Sequence, residues 1–464
     1  MSLFRTILMN LPEVEGPTQK RLSFKEKLKW TLIVLITFFI LGLIPLFGLG
    51  QNSLAQFEFL SVILGAEFGS IISLGIGPIV TASIVLQLLN GSGILKFDLS
   101  SEEGKKTFQG VQKLLALFFI IFEAIIYVFM GGLAPDEALR GTALYLNLEL
   151  VIIFQMILGG IAILFMDDII SKWGFGSGVS LFIAAGVSKQ IFIRSFSWIH
   201  PENNPGTYVG AIPELFRALS HGGTDGMVTA GLMLAGIIST VLVFVIAVYS
   251  QSMKVEIPLS FGRVRGHGIR WPLAFIYTSN IPVILVAALL ANIQLWANLL
   301  QNWIGLNAQS LVEWVSVPGG GEGILGLIIR QQSFLIGWKP YAQALVYMII
   351  MIVGCVIFSW FWVQTAGMDA KSQAKNIISS GLSIPGFRKD ERVMEKLLKR
   401  YISPLTVMGA IAIGFLAAMA DLSGSLVHGT SLLLTVMIVY KLYEEIAKQH
   451  MYDMHPMMRK FMDV

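Results

Sequence analysis

Cysteine and charge are both scarce in this sequence. Cys355 is the only cysteine among the 464 residues, which excludes a disulfide framework and a cluster of thiolate metal ligands. Charged residues make up 13% of the chain, whereas soluble domains average about 25%. The sequence also contains no HExxH motif, no P-loop and no other spacing typical of metal ligands. We therefore expect no metal and no cofactor, and the low charge argues against a soluble protein.

Apolar residues dominate what is present. Hydrophobic residues account for 55% of the chain, and the mean hydropathy is +0.72. A membrane-spanning helix needs about 20 predominantly apolar residues, and the apolar runs suffice for ten spans. The sequence thus predicts an all-α polytopic membrane protein. The predicted spans cover residues 31–47, 78–89, 114–130, 144–166, 179–196, 229–251, 273–300, 341–365, 404–420 and 432–444.

The basic residues segregate to one side of these spans. With the N-terminus inside, 27 of the 33 Lys and Arg residues fall in segments on the inner side. Cytoplasmic loops carry this excess of positive charge in membrane proteins. We therefore predict a multi-pass protein of the cell membrane with both termini cytoplasmic. The polar and basic residues 1–29 lack the pattern of a signal peptide.

Two interrupted spans suggest that the protein has two related halves. Gly75 and Gly77 precede Pro78, which favours a helix that begins at about Pro78. The apolar run that follows is too short to cross a hydrocarbon core of ~30 Å. A counterpart is found at Asn280-Ile281-Pro282 in span 7, and paired interruptions of this kind are typical of inverted repeats. A kinked helix without functional meaning is the alternative for each break.

This symmetry gives a plan of the chain. Two five-span halves, in opposite orientations, are expected to surround a central pore. The segments are an N-terminal amphipathic segment at 1–30, a first half at 31–199, an outer loop at 200–228, a second half at 229–447 and a cytoplasmic tail at 448–464.

Bulky aliphatic residues, rather than ionisable ones, surround the breaks. An apolar constriction blocks ions by dewetting, and it would offer little friction to a passing polypeptide. The alternative is that these side chains only pack against other helices or lipid. Glu123 is the clear ionisable residue inside a span, whereas Glu149, Asp167 and Asp168 are interpreted as loop edges. The aliphatic residues are Ile76, Val80, Val179, Ile183 and Ile284.

Two predicted cytoplasmic loops, at about 260–271 and 370–400, are rich in basic residues. We call them the basic loops. Their charge is explained by membrane topology and anionic lipid, or by docking of a polyanion such as ribosomal RNA. The residues concerned are Arg263, Arg265, Arg270, Arg388, Lys389, Lys396, Lys399 and Arg400.

Two further functional classes compete on the residues alone. An inverted-repeat secondary transporter for a small solute also explains two broken spans, but it leaves the shortage of ion-coupling carboxylates unexplained. An intramembrane protease would need a base near Ser180, and all six histidines are predicted to lie in loops or tails. We therefore predict no catalytic residues and no enzymatic activity.

Five motifs stand out along the whole chain. They are the sequence from Leu74 to Gln87, Gly176-Ser177-Gly178 followed by 181–187, Val255-Glu256-Ile257-Pro258-Leu259, 279–285, and Gly386-Phe387-Arg388-Lys389. Together they resemble the SecY family, the channel subunits of the protein-conducting translocon, and most closely its archaeal members. The resemblance extends from about Phe24 to Glu445.

This resemblance implies a protein-conducting channel that also releases transmembrane segments sideways through a lateral gate. The family's apolar ring of pore residues falls on Ile76, Val80, Val179, Ile183, Ile284 and Leu434, with Leu432 and Leu433 as neighbours of uncertain register. A half-helix plug is implied at about 57–69, a gate between spans 2–3 and 7–8, and a polar gate cluster at Thr81, Glu123 and Asn280. The implied partners are small SecE/gamma-type and beta-type subunits, a ribosome with its nascent chain on the basic loops, signal sequences, membrane lipid and a possible second copy.

Overall fold

The computed structural model describes residues 12–19, 22–52, 66–91, 94–95, 97, 102–200, 206–261, 268–304, 309–319, 323–331, 337–379, 382–383 and 390–454. Most of the expected plug, together with Arg263, Arg265, Arg388 and Lys389, lies outside these residues. Arg270 is described only as part of the backbone of a strand.

The described chain is mostly helical. Residues 24–196 contain α1 (Phe24–Leu43), α2 (Gly77–Gly91), α3 (Glu102–Phe129), α4 (Ala143–Trp173) and α5 (Gly178–Phe196). Residues 211–454 contain α6 (Ala211–His221), α7 (Gly223–Ser252), α8 (Ile281–Ile304), α9 (Gln309–Val315), α10 (Gly323–Gln331), α11 (Trp338–Thr365), α12 (Ala370–Ser379), α13 (Glu391–Leu422) and α14 (Gly429–Met454).

Each predicted span falls on one of these helices. Within the described residues, six helices are long and apolar enough to cross a membrane, namely α3, α4, α5, α7, α11 and α13. The apolar parts of α2 and α8 are shorter, as the two breaks predict. Helices α1 and α14 are outside this set, and both carry several charged residues toward the ends that are cytoplasmic by the predicted topology. A multi-pass membrane protein is therefore confirmed, and the count of ten spans stays a prediction.

The outer faces of the helices are apolar. Ile36 on α1, Phe118 on α3, Leu158 on α4 and Phe244 on α7 are each at least 50% exposed. Large exposed apolar faces of this extent are suited to contact with lipid.

Small residues let the helices approach one another inside. A Cβ atom at Gly159 on α4 would overlap the carbonyl oxygen of Ile71, and one at Gly414 on α13 would overlap the backbone of Ile352 on α11. Close approach of backbones at glycine is how helices gain packing energy in a membrane.

The basic loops contain regular structure that the sequence did not predict. Strand β3 (Lys254–Phe261) pairs antiparallel with β4 (Gly268–Ala274), and β5 (Leu382–Ser383) joins the far end of β3. The predicted start of span 7 at residue 273 is wrong, because 273–274 belong to β4 and the helix begins at Ile281. Leu273 is buried and pairs with Val255 across the sheet, so this run ends a strand rather than beginning a helix. Two other short strands, β1 (Gln51–Asn52) and β2 (Leu133–Ala134), pair with each other.

Other helices also begin or end at residues that differ from the predicted ones. Helix α13 begins at Glu391 and runs through Pro404, so the end of the second basic loop is helical. The predicted outer loop contains α6. His221 is the last residue of α6 and His450 lies within α14, so these two histidines are not in irregular segments.

Candidate functional site

The first break has the geometry that glycine and proline predicted. Residues 71–76 form consecutive turns, in which the amide of Gly75 donates to the carbonyl of Ile72 at 2.9 Å. Gly75 has a φ of +55°, a left-handed conformation that glycine adopts without steric cost. Pro78 is the second residue of α2, and the amide of Val80 bonds to the carbonyl of Ile76 at 3.0 Å.

The second break repeats this backbone in detail. The amide of Ser279 donates to the carbonyl of Ile276 at 3.0 Å, and Ser279 has a φ of +58°. Pro282 is the second residue of α8, and the amide of Ile284 bonds to the carbonyl of Asn280 at 3.1 Å. Ser279 is the only non-glycine residue of the described chain with a positive φ.

The two half-helices therefore begin in the same way. Gly75 and Ser279 each stand three residues before the proline of their helix, and Val80 and Ile284 occupy equivalent positions two residues after it. No sequence identity between the halves predicts this correspondence. It supports an internal repeat more directly than the spacing of the breaks did.

The residues predicted for the apolar ring are gathered inside the protein. Ile76, Val80, Ile183, Ile284 and Leu434 are all buried in one continuous hydrophobic cluster, and Val179 packs against that cluster while staying partly exposed. None of the six points outward to the lipid face. Leu432 and Leu433 are buried in the same cluster, so burial alone does not distinguish them from Leu434.

A cavity of about 920 Å³ lies against this cluster. Val80, Val179 and Ile284 form part of its wall, so half of the predicted ring faces open space. The rest of the wall is mixed, with apolar side chains beside Ser83, Gln87, Lys105, Gln112, Asp167, Asn280, Lys441 and Glu445. Such a lining offers both apolar and polar contacts.

Three helices meet at a buried polar cluster. The hydroxyl of Thr81 on α2 donates to Oε1 of Glu123 on α3 at 3.3 Å and lies 2.9 Å from the carbonyl of Gly77. Nδ2 of Asn292 on α8 donates to Thr81 Oγ1 at 3.1 Å. Glu123 is 1% exposed. Glu123 Oε2 and Asn292 Oδ1 have no hydrogen-bond partner among the described residues.

Asn292, not Asn280, completes this cluster. The side chain of Asn280 accepts a hydrogen bond from the hydroxyl of Ser279 at 3.1 Å, next to the start of α8. Asn292 lies three turns further along α8 and reaches Thr81. The structure thus brings Thr81 and Glu123 together and places Asn280 elsewhere. No signal in the sequence singles out Asn292, because Gln294 and three further amide residues lie on the same helix.

Four carboxylates outside the predicted site lie within helices. Glu149, Asp167 and Asp168 belong to α4 rather than to loop edges, and Asp168 accepts a hydrogen bond from Lys113 of α3 at 2.5 Å. Asp421 lies buried at the end of α13. Among the described residues, no group of His, Cys, Asp and Glu is arranged to hold a metal ion.

The described part of the second basic loop presents a charged face. Lys396, Lys399 and Arg400 are exposed at the start of α13, while Met394 and Leu398 are buried on the other face of the same turns. Residues three and four apart share one face of a helix, so these three cations form a single patch.

Comparisons with known proteins agree with this arrangement. A family model described as SecY matches residues 70–443, and one described as the plug domain of Sec61p matches residues 36–69. The protein translocase subunit SecY of Methanothermobacter thermautotrophicus is 43% identical over 464 residues, covering 99% of this chain and 98% of that protein. The SecY subunit of Methanocaldococcus jannaschii is 42% identical and covers 98% of each.

Solved structures give the same result. A structure described as a protein-conducting channel superposes with a TM-score of 0.81 at 41% identity, covering 98% of this chain and 99% of that one. Sec61 in a canine ribosome–channel complex superposes with a TM-score of 0.77 at 40% identity, with the same coverage. With a family match over most of its length and relatives above 40% identity across nearly all of it, this chain belongs to the SecY family.

Proposed function

We propose that this protein is a channel through which secretory polypeptides cross the membrane and from which transmembrane segments leave sideways into lipid. The observation that carries the proposal is the buried aliphatic cluster beside a large cavity. Five of the six predicted ring residues are buried in it, and three of the six line the cavity. The matches to translocase subunits and to a protein-conducting channel support the same function.

The apolar ring acts as a seal around the moving chain. Aliphatic side chains make no fixed hydrogen bonds with a passing polypeptide, so they accommodate any sequence. When the pore is empty, the same side chains exclude water and thereby block ions. The plug at about 57–69 closes the outer side of the ring, by analogy with the family's plug domain.

Helices α2 and α3 form one side of the lateral gate, and α8 and α11 form the other. The gate cluster of Thr81, Glu123 and Asn292 joins both sides. A signal sequence that intercalates between α2 and α8 must break the Asn292 bond to Thr81. Its apolar contacts replace the lost bond, so hydrophobicity of the signal decides whether the gate opens.

The partners follow from the family and from the charged surface. A ribosome docks on the basic loops, and anionic lipid contacts the same cytoplasmic side. Small SecE/gamma-type and beta-type subunits complete the complex, and a second copy of the complex can associate with it. The cell membrane with cytoplasmic termini, the ten spans and the two inverted halves at 31–199 and 229–447 are parts of this proposal.

Reconstitution separates this function from its rivals. Vesicles that contain the complete complex are supplied either with ribosomes translating a secretory protein or with labelled small solutes. A channel of this kind imports the nascent polypeptide to protease protection and shows no saturable solute uptake. Saturable uptake of a solute without polypeptide import would instead establish a secondary transporter.

A further inference from the structure

The first turn of α5 is capped from another helix. Oδ1 of Asp167, near the end of α4, accepts a hydrogen bond from the backbone amide of Val179 at 3.0 Å. Ser177 occupies the N-cap position of α5 but makes no capping hydrogen bond with its side chain. The amides of a first helical turn have no partner within the helix, so Asp167 supplies what Ser177 does not.

The first turn of α14 is capped in the same manner. Oδ1 of Asp421, near the end of α13, accepts a hydrogen bond from the backbone amide of Thr430 at 2.8 Å. Oδ2 of the same carboxylate accepts from the hydroxyls of Thr430 and of Tyr347 on α11, the latter at 2.7 Å. Asp421 is 2% exposed, so the carboxylate forms its hydrogen bonds with these neighbouring groups.

The two caps share their local design. Each helix begins with a glycine, Gly178 or Gly429, and the capped amide belongs to the next residue. A Cβ atom at Gly178 would overlap Asp167, and one at Gly429 would overlap the backbone of Ala420 beside Asp421. The glycines therefore allow the preceding helix to bring its carboxylate onto the helix end.

The capped residues stand in a fixed relation to the apolar ring. Ile183 is four residues after the capped Val179, and Leu434 is four residues after the capped Thr430. One helical turn separates each cap from its ring residue. The equivalence selects Leu434, rather than Leu432 or Leu433, as the counterpart of Ile183.

We propose that Asp167 and Asp421 are positioning residues that fix the pore helices α5 and α14 so that Ile183 and Leu434 meet in the ring. One carboxylate belongs to each half of the chain. The proposal rests on the proposed function, because it assumes that the ring is the barrier to ions. A helix that loses its cap can shift along its axis, and such a shift moves the ring residue out of the constriction.

The test is the resting ion conductance of the complete complex in planar bilayers. Asp167→Ala and Asp421→Ala are each expected to raise it about tenfold, which corresponds to a loss of ~1.4 kcal/mol, within the range measured for helix caps. Asp167→Asn retains the acceptor oxygen that bonds to the amide of Val179 and is expected to stay within about twofold of the parent, since Asn caps helices as well as Asp. Asp168→Ala is the matched control, because Asp168 is adjacent in sequence and bonds to Lys113 instead.

A second measurement keeps the proposal falsifiable apart from channel activity. Hydrogen exchange of the amides in 179–183 and 430–434 should accelerate in the Ala variants and not in Asp168→Ala. Faster exchange with unchanged conductance would show that the caps do not position the ring, and unchanged exchange would show that they do not hold the helices.

A ring variant distinguishes failure of this proposal from failure of the proposed function. Replacement of Ile76, Val80 and Ile183 by Gly should raise conductance whatever the carboxylates do. If the ring variant leaks and the Asp→Ala variants do not, the positioning role is wrong and the ring stands. If the ring variant does not leak, the ring is not the barrier, and both proposals are wrong.

Discussion

At the scale of single residues, a few polar side chains hold together an apolar interior. Thr81, Glu123 and Asn292 come from three helices, and two of their buried oxygens lack a hydrogen-bond partner among the described residues. A buried oxygen without a partner costs free energy, so this gate cluster stabilises the closed seam only weakly. Weak closure is what a gate needs if a short apolar segment is to open it.

Asn292→Ala should make the gate easier to open. It removes the bond from α8 to Thr81, which is worth about 0.6 kcal/mol for an average polar contact between membrane helices. We expect weakly hydrophobic signal sequences to be transported about two- to threefold more efficiently in a reconstituted import assay. The control is Ile293→Ala, since Ile293 is adjacent to Asn292 on α8 but is 44% exposed and lies outside the cluster. Equal effects of the two variants would contradict the assignment of Asn292.

Substitutions at Gly75 and Ser279 are expected to change thermal stability in opposite directions. Both have a left-handed φ, which costs a non-glycine residue about 1 kcal/mol. Gly75→Ala should therefore lower the thermal stability of the purified complex, while Ser279→Gly should raise it or leave it unchanged. Gly231→Ala on α7 serves as a control, because its added Cβ would meet only Ile329 at 3.8 Å. A stabilising Gly75→Ala would show that the turn before α2 relaxes freely.

At the scale of elements, the sequence predicted helices well and strands poorly. Pro78 and Pro282 marked the starts of α2 and α8 because proline fits a first helical turn. The run from Leu273 predicts a helix wrongly because a continuous apolar stretch has no periodicity that separates a strand from a helix. The caps of Asp167 and Asp421 could not be predicted at all, because they depend on how adjacent helices pack.

The described end of the expected plug is tied to α5 by an ion pair. Glu67 bonds to Lys189, and its backbone carbonyl accepts from the hydroxyl of Ser70 at 2.7 Å. Lys189→Glu should raise resting conductance by up to about fivefold, since partly exposed ion pairs contribute about 0.2–1 kcal/mol. The double variant Glu67→Lys/Lys189→Glu should restore the parent value, and 1 M salt should erase the difference. If the double variant leaks as much as Lys189→Glu, the pair does not anchor this segment.

At the scale of the whole molecule, the hydropathy of a side chain does not determine whether it lies on the outer surface or in the interior. Apolar side chains are abundant on the outer surface, where lipid receives them, and equally apolar ones form the central cluster beside the cavity. Hydropathy could not tell the two sets apart, so the resemblance to a family was needed to select the ring. The matching backbone conformation at the starts of α2 and α8 supports two related halves.

The exposed patch on α13 makes a prediction about the assembled channel. Lys399→Glu/Arg400→Glu should weaken ribosome binding, because each basic contact to phosphate contributes through release of counterions. At low salt the double variant should bind the ribosome less tightly than the parent does, and its affinity should depend less steeply on salt concentration. Arg140→Glu is the control, since Arg140 is exposed on the predicted outer side. Unchanged affinity in the double variant would place docking elsewhere on the cytoplasmic side.

The most direct test of the apolar ring is a crosslink from a translocating polypeptide. A photoreactive residue at position 183 is compared with one at position 36, where Ile36 lies on the outer face of α1. With a secretory chain stalled across the membrane, the ring account predicts crosslinks from position 183 along the length of the stalled chain and none from position 36. Crosslinks absent from position 183, in complexes that still import protein, would contradict the claim that the polypeptide passes through this ring.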